Sequence, residues 1–436
     1  RTFSKPTWKM SLHRLAALVV LVCCTPIRAM SYLAKVPQGA PDLILGVAQA
    51  FRESKAPNKV NLVIGAYRDE YGKPWVLPSV AAAEQRLVDR GENKEYAPIT
   101  GLPAFVDAAT KFAFGECAAL GEGRIASVQT LSGTGACRIA ADFYGEFLPG
   151  QPVVYVSDPT WPNHLPIFGQ AGSDVRSYRY LDRRTNRLDL AGLLADIAHA
   201  PAGSVFVMHA CAHNPTGVDP TTDEWRLISE ALKANDHHVL VDMAYQGFAT
   251  GDAQADNAAL RMLVDEGHSL MLAQSFAKNF GLYGERVGSL SVVCSDAAEA
   301  ARVGSQLKLL IRPMYSSPPI HGALLVSEVL SDEALSTQYY SECASMAARI
   351  RKMRTLLRTQ LEAEGSPHDW SHVTEQIGMF AFTGMCVDAV RELTDEHAVF
   401  LTADGRISMA GINEDNVDYV ASAVHAVTKS RVLGPQ

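Results

Sequence analysis

Short apolar, β-branched runs recur through the middle of the chain, at Val153–Val156, Ser204–Met208, His238–Val241, Ser269–Leu272 and Ser289–Val293. They are nearly continuous in hydrophobicity rather than alternating, and segments of helix length separate them. That pattern predicts an α/β architecture, a parallel sheet with both faces covered by helices. Ligands in such folds bind at the carboxyl ends of the strands, where the following loops gather. Upstream, Pro41-Asp42 ahead of Leu43–Arg52 reads as a capped helix. Beyond residue 340 the period changes. Met346, Ile350, Met353, Leu357 and Leu361 fall three or four residues apart with Arg and Lys opposite, which predicts long helices and a domain change near residue 345.

A length of 436 residues suits a two-domain enzyme, and 47% hydrophobic with 20% charged residues is ordinary globular composition. The net charge of −8 argues against a nucleic-acid partner, which would call for a basic footprint. No apolar run approaches the ~18 residues of a transmembrane helix. Eight scattered cysteines with no C-x-x-C pair form neither a disulfide framework nor a zinc motif and suit a reducing compartment, so no metal is expected. The first thirty residues differ from the rest. They hold Arg1, Lys5, Lys9, Arg14 and Arg28, no acid, and one apolar run from Leu15 to Cys24. A mitochondrial presequence, a secretory signal and a non-native leader all fit, and Met10 or Met30 could each be a start.

Chemistry concentrates after the apolar runs. In Gln274-Ser275-Phe276-Ala277-Lys278-Asn279-Phe280, a lysine sits among apolar neighbours, where its charged form is disfavoured and its amine freed as nucleophile or base. Ser275 and Arg286 could serve a phosphate there, and a snorkelling lysine beside a turn is the plain alternative. Ser275-Phe-Ala-Lys278 also fits the S-x-x-K signature of penicillin-recognising enzymes, but the companion S-D-N and K-T-G motifs do not occur. His238–Val241 leads into Asp242-Met243-Ala244-Tyr245, an acid that could keep a heteroaromatic nitrogen protonated and a phenol that could bond a ring oxygen. His209 to Gly217 includes a Pro–Gly turn presenting Asn214. Ser132-Gly133-Thr134-Gly135 precedes a helical stretch and could offer backbone N–H groups to a phosphate. Asp158-Pro-Thr-Trp161-Pro-Asn-His164 supplies a flat indole for stacking.

Taken in order, these motifs closely resemble the class I, fold-type I aminotransferases that depend on pyridoxal phosphate, and within them the aspartate aminotransferase group, most of all its mitochondrial members. The resemblance runs from Ala34 to Thr428. It takes in Val60-Asn61-Leu62-Val-Ile-Gly65-Ala66-Tyr67-Arg68-Asp69, Lys94-Glu95-Tyr96-Ala-Pro98-Ile99-x-Gly101, Met314-Tyr315-Ser316-Ser317-Pro318-Pro319, Gly378-Met379-Phe380-Ala-Phe382-Thr383-Gly384 and Gly405-Arg406-Ile407. It implies a large domain with a mostly parallel seven-stranded sheet, and a smaller α+β domain from both chain ends. The corresponding segments are 1–29 (targeting presequence), 30–75, 76–345 (large domain) and 346–436.

The same resemblance implies roles. Lys278 would bond the cofactor and move the substrate's proton. Asp242 would hold the ring nitrogen protonated, Tyr245 and Asn214 would bond the ring oxygen, and Trp161 would stack on the ring with His209 behind it. Ser132, Gly133, Thr134, Ser275 and Arg286 would form the phosphate cup, joined by Tyr96 from a neighbouring subunit. Arg406 would clamp the α-carboxylate, and Arg312 would reach across a homodimer to the side-chain carboxylate of a dicarboxylic amino or oxo acid. Gly65 would let the N-terminal segment close over the substrate. The implied reaction exchanges an amino group between L-aspartate and 2-oxoglutarate, with aromatic or kynurenine-type transamination as the alternative. The implied place is the mitochondrial matrix, or the cytoplasm if translation starts at Met30. The chain departs from the family pattern at Val63, Met243 and Ser317, all close to the expected site.

Overall fold

The computed structural model describes residues 32–39, 43–63 and 65–434, in two units of which the second begins at Leu43. The expected presequence, with Met10 and Met30, lies outside the described residues, as do Pro41 and Asp42 ahead of the helix Leu43–Glu53. In the first unit the chain makes a short helical turn, Tyr32–Lys35.

The second unit is built on a seven-stranded sheet. Its strands are β1 (Ile125–Leu131), β2 (Val154–Asp158), β3 (Val175–Arg179), β4 (Val205–His209), β5 (His238–Met243), β6 (Leu270–Ser275) and β7 (Val287–Val293). They lie in the order β1-β7-β6-β5-β4-β2-β3. All neighbours are parallel except β7, which runs antiparallel to both β1 and β6. The continuous apolar runs are explained by burial on both faces. On β4, Val205 and Val207 pack into one core with Ile139 and Phe143, while Phe206 and Met208 pack into the other with Trp225 and Ile228. Each such side chain removed from water contributes roughly 1.5–3 kcal/mol.

Two features depart from the sequence pattern. The Ser289–Val293 run belongs to the antiparallel β7, and β3 carries the alternating Val-Arg-Ser-Tyr-Arg because it is an edge strand with only Tyr178 fully buried.

Helix α1 (Ser132–Phe147) packs its Ala136, Ile139, Ala140 and Phe143 face on the sheet, and helix α2 (Ala297–Met314) adds Leu307 and Ile311 to the same core. The five residues of the late helical period, Met346 to Leu361, are all buried along one helix, α3 (Glu333–Ala363). Asp332 caps it by accepting from the Leu335 N–H at 2.9 Å, and the helix is continuous through residue 345. Two short strand pairs complete this unit, the first tying its early part to its late part and the second lying within the late part. Val60–Asn61 runs parallel to Val399–Phe400, and Phe380–Phe382 runs antiparallel to Arg406–Ser408.

One glycine sets how closely β7 approaches the start of α1. A Cβ on Gly288 would lie 2.5 Å from the Gln274 carbonyl oxygen and 2.6 Å from the Ser132 carbonyl carbon. Both neighbours are backbone and cannot swing aside. Gly288→Ala is therefore expected to cost roughly 1–3 kcal/mol, as overpacking does, and to displace Ser132. Chemical denaturation measures the cost; an unchanged midpoint would show that the junction has slack.

Candidate active site

The sheet order places a switch point between β2 and β4, because the chain runs from β2 outward to β3 and then returns to the other side of β2. The loops after β2 and β4 diverge there and leave a crevice at the strand ends. Trp161 comes from the first loop, and Asn214 from the second; His209 ends β4. Asp242 lies near the end of β5, with Tyr245 just past it. Ser275 ends β6, and Lys278 follows. These residues, with Ser132, Gly133 and Thr134 at the start of α1 and with Arg286, line a cavity of about 130 Å3. Eleven residues singled out from the sequence thus meet at one place: Ser132, Gly133, Thr134, Trp161, His209, Asn214, Asp242, Tyr245, Ser275, Lys278 and Arg286.

Asp242 is buried, and its Oδ2 lies 3.2 Å from His164 Nε2. The other nitrogen of that ring is 2.8 Å from the Thr160 hydroxyl. An ionised carboxylate only accepts, so Nε2 carries the proton and Nδ1 accepts from Thr160. Burial alone would lift the Asp242 carboxyl; the His164 hydrogen bond, then the attraction of His209, His164 and Lys278, outweigh it and hold the group below the usual carboxylate range. Oδ1 makes no hydrogen bond among the described residues. His209 is buried with its Nε2 3.9 Å from Asp242 Oδ2, and burial pushes its pKa down to about 4, leaving it neutral.

Lys278 is half-buried in the cavity wall. Burial, then repulsion from Arg286, pulls its amine down to about 8, while Asp242 works in the other direction. Its Nζ stands 5.9 Å from the centre of the Tyr283 ring, and the Tyr283 hydroxyl accepts from the Tyr67 N–H at 2.7 Å. The segment that carries Gly65 is thereby tied to the lysine loop. Gly65 itself faces Phe380: a Cβ there would come within 2.6 Å of the ring.

The start of α1 is strained. Ser132 adopts a left-handed φ of 61°, and its Oγ lies 2.9 Å from Ser275 Oγ. Gly133 lets the helix come close, since a Cβ would meet Ser275 Cβ at 3.2 Å. The first N–H groups of α1 and these hydroxyls make a place for an anion. Arg286, also left-handed at φ 52°, donates from Nη1 to the Tyr283 carbonyl at 3.1 Å.

Arg406 is buried just outside the cavity lining. Its Nη1 donates to Asn214 Oδ1 at 3.4 Å and its Nη2 to the Val63 carbonyl at 3.0 Å. Its guanidinium stands 4.1 Å from the centre of the Phe380 ring, and its Nε has no partner among the described residues. The structure does not bring Tyr96 or Arg312 to this cavity. Tyr96 is 92% exposed, and Arg312, exposed at the end of α2, donates to Ser316 Oγ at 2.7 Å. Sequence reasoning missed three side chains of the site: His164, Phe380 and Tyr283. His164 and Phe380 stand inside segments already singled out and Tyr283 lies between Lys278 and Arg286, but Asp242, Arg406 and Tyr67, which give them meaning, are distant in sequence.

The model of the family described as aminotransferase class I and II matches residues 57–424. The chain belongs to this aminotransferase family. The mitochondrial aspartate aminotransferase of Dictyostelium discoideum is 51% identical over 400 residues, covering 92% of this chain and 94% of that protein. The solved structure of a mitochondrial aspartate aminotransferase from Trypanosoma brucei superposes with a TM-score of 0.85 at 47% identity, covering 88% of this chain and all of that one. An aromatic-amino-acid aminotransferase from Burkholderia pseudomallei, covalently bound to pyridoxal phosphate, gives 0.89 at 40% identity over 92% of this chain and all of that one. The architecture is accordingly fold-type I, and the family's cofactor is pyridoxal phosphate.

The electrostatics of this aminotransferase's lysine give a measurable pH dependence. The half-buried ammonium is disfavoured, so in cofactor-free protein the amine is protonated below about 8 and nucleophilic above it. Reductive labelling of Lys278 by a small aldehyde, followed by peptide mapping, should reach half its limiting rate near that pH. Asp242→Asn removes an attraction for the ammonium and should move the half-point lower. A half-point near the ordinary 10.5 would overturn this account.

Proposed function

We propose that this aminotransferase exchanges an amino group between L-aspartate and 2-oxoglutarate, giving oxaloacetate and L-glutamate by a ping-pong route. The observation that carries the proposal is a buried guanidinium, Arg406, bonded to Asn214 beside the cavity that holds Lys278 and Asp242. Its unpartnered Nε leaves donor capacity for a substrate carboxylate. The names of the mitochondrial relatives support the substrates, and with the basic leader they support a place in the mitochondrial matrix.

The residues present fit pyridoxal phosphate. An unpartnered carboxylate oxygen suits a protonated ring nitrogen, a half-buried amine of lowered pKa suits an aldehyde, and the start of α1 with Ser275 and Arg286 suits a phosphate. When bound, the cofactor supplies an electron sink that weakens the substrate's Cα–H bond. The protein's own groups do the rest. Asp242 Oδ1 would keep a proton on the ring nitrogen, with His164 keeping Asp242 ionised. The Tyr245 hydroxyl and Asn214 would orient the ring oxygen, and Trp161 would cover the ring face. The Lys278 amine would serve as the general base that accepts the substrate's Cα proton and as the acid that gives a proton back. Arg406 grips the α-carboxylate in a bidentate fork that a lysine would not reproduce.

The partner of Arg406 in dicarboxylate recognition is Arg312, supplied with Tyr96 by the other subunit of a homodimer. Their exposure in the single chain supports this arrangement. Segments 30–75 and 346–436 would form the smaller domain that closes on residues 76–345, with Gly65 on the moving edge.

The test is the absorption of the purified protein. Its cofactor band should be converted by L-aspartate and restored by 2-oxoglutarate; conversion by phenylalanine alone would assign the aromatic alternative. Arg406→Lys should lower kcat/KM on the order of a hundredfold or more, the loss that follows from unpairing a buried ionic contact. Arg312→Ala and Lys278→Ala should each be inactive with aspartate, yet an equal mixture of the two should regain roughly a quarter of the activity if subunits pair at random. Mixtures that stay inactive after subunit exchange would rule out shared sites.

A further inference from the structure

Behind Asp242 lies a cluster that includes Cys137, a residue with no part in the transamination reading. Cys137, on the sheet-facing side of α1, His164 and Asp242 are all buried, and one ligand atom from each lies within 4.8 Å of the others. His209 stands beside them. Its Nε2 is 3.9 Å from Asp242 Oδ2, its ring centre is 5.4 Å from that of His164, and neither of its nitrogens has a hydrogen-bond partner among the described residues. A buried imidazole with both nitrogens unpartnered is unusual and calls for a polar group beside it.

We propose that the cofactor-free protein binds a zinc ion at Cys137, His164 and Asp242, with His209 beside it, and that zinc and pyridoxal phosphate exclude one another. Sulfur, imidazole nitrogen and carboxylate oxygen are donors that tetrahedral zinc accepts, with a water in the fourth position. The charges close: a thiolate and a carboxylate neutralise the dication, and a neutral imidazole and a water add nothing, so the buried complex carries no net charge. Coordination sends the Cys137 thiol proton to solvent. His164 passes its Nε2 proton over to Nδ1, so that Nε2 bonds the metal and Nδ1–H donates to the Thr160 oxygen 2.8 Å away. That hydroxyl is the outer partner a metal-bound histidine ordinarily has. The ion gains access through the cavity, whose wall includes Asp242 and His209.

Exclusion follows from Asp242. The oxygen that would hold the cofactor's ring nitrogen and the oxygen that would bind zinc belong to one carboxylate, and a dication there would repel a protonated ring nitrogen. The spread of these residues along the chain is why no metal motif is visible in the sequence.

The experiment uses the full chain with and without pyridoxal phosphate. Titration of the cofactor-free protein with zinc should reach about one equivalent of tight binding, and the loaded protein should show none. Cys137→Ala should weaken binding on the order of a hundredfold. Cobalt(II), used in place of zinc on the unmodified chain, should give a thiolate-to-metal charge-transfer band that the variant lacks. Added zinc should slow uptake of pyridoxal phosphate by the unmodified chain and not by Cys137→Ala. Cobalt binding without a thiolate band, or zinc affinity unaffected by either the substitution or the cofactor, would overturn the proposal. Because zinc binding is read on cofactor-free protein, its failure would leave the transaminase reading untouched.

Discussion

The hydrogen bond from His164 to Asp242 is the contact on which the rest of the site turns. A carboxylate taken out of water tends to neutralise itself, and Asp242 has almost no water contact. With His164 donating to one oxygen, the group stays charged. A fixed negative charge at the end of β5 then sets the sign of everything near it. It favours a cation on the ring it would face, and it partly offsets the destabilisation of the Lys278 ammonium. Arg286 and Arg406 push that lysine the other way. The amine is left at a pKa of about 8, close enough to neutrality to act both as proton acceptor and as proton donor. The arrangement burdens the fold. A lysine moved from 10.5 to about 8 disfavours the folded state by on the order of 3 kcal/mol at neutral pH, because the unfolded chain holds the proton more tightly.

The sheet makes this affordable by fixing where each charge sits. Neighbouring parallel strands end at one level, and Asp242 is held in register with His209 on β4 and Ala273 on β6. Side chains on rigid strand ends lose little further freedom when they form the site. Among the residues lining the cavity, the non-glycine left-handed positions are Ser132, at the start of α1, and Arg286, just before β7, and both face the proposed phosphate position. The left-handed Ser132 persists because β7 carries a glycine where it passes beneath.

How much of this could be read from the residues follows from the range of the interactions. The central strands were legible because burial on both faces leaves a nearly unbroken apolar run. The direction of β7 was not, since parallel and antiparallel neighbours bury the same side chains. The edge strand β3 escaped notice because its Arg176 and Arg179 face water, where hydropathy carries no signal. At the site, Lys278 stood out by its apolar neighbours in sequence. His164 did not: it belongs to the same segment as Trp161, but its meaning comes from Asp242, brought beside it by the spacing of β2 and β5 around β4. Phe380 is similar, an aromatic in an apolar stretch until the strand pairing with Arg406–Ser408 puts it against a guanidinium.

The two residues that remain outside the cavity carry their own argument. Arg312 and Tyr96 are exposed, whereas the residues that line the cavity are half-buried or better, Arg286 apart. An aromatic side chain left 92% exposed is poorly placed for the stability of a lone chain. Arg312 leans on Ser316 alone, with no acid within ion-pair distance among the described residues. A cation held at a helix end without a counter-charge is well prepared to meet a carboxylate delivered from elsewhere, and the dipole of α2 favours its position at that terminus. On the proposed reading, one chain would supply the chemistry and the grip on the α-carboxylate, while selection of the second carboxylate would fall to a surface that a partner's cavity completes.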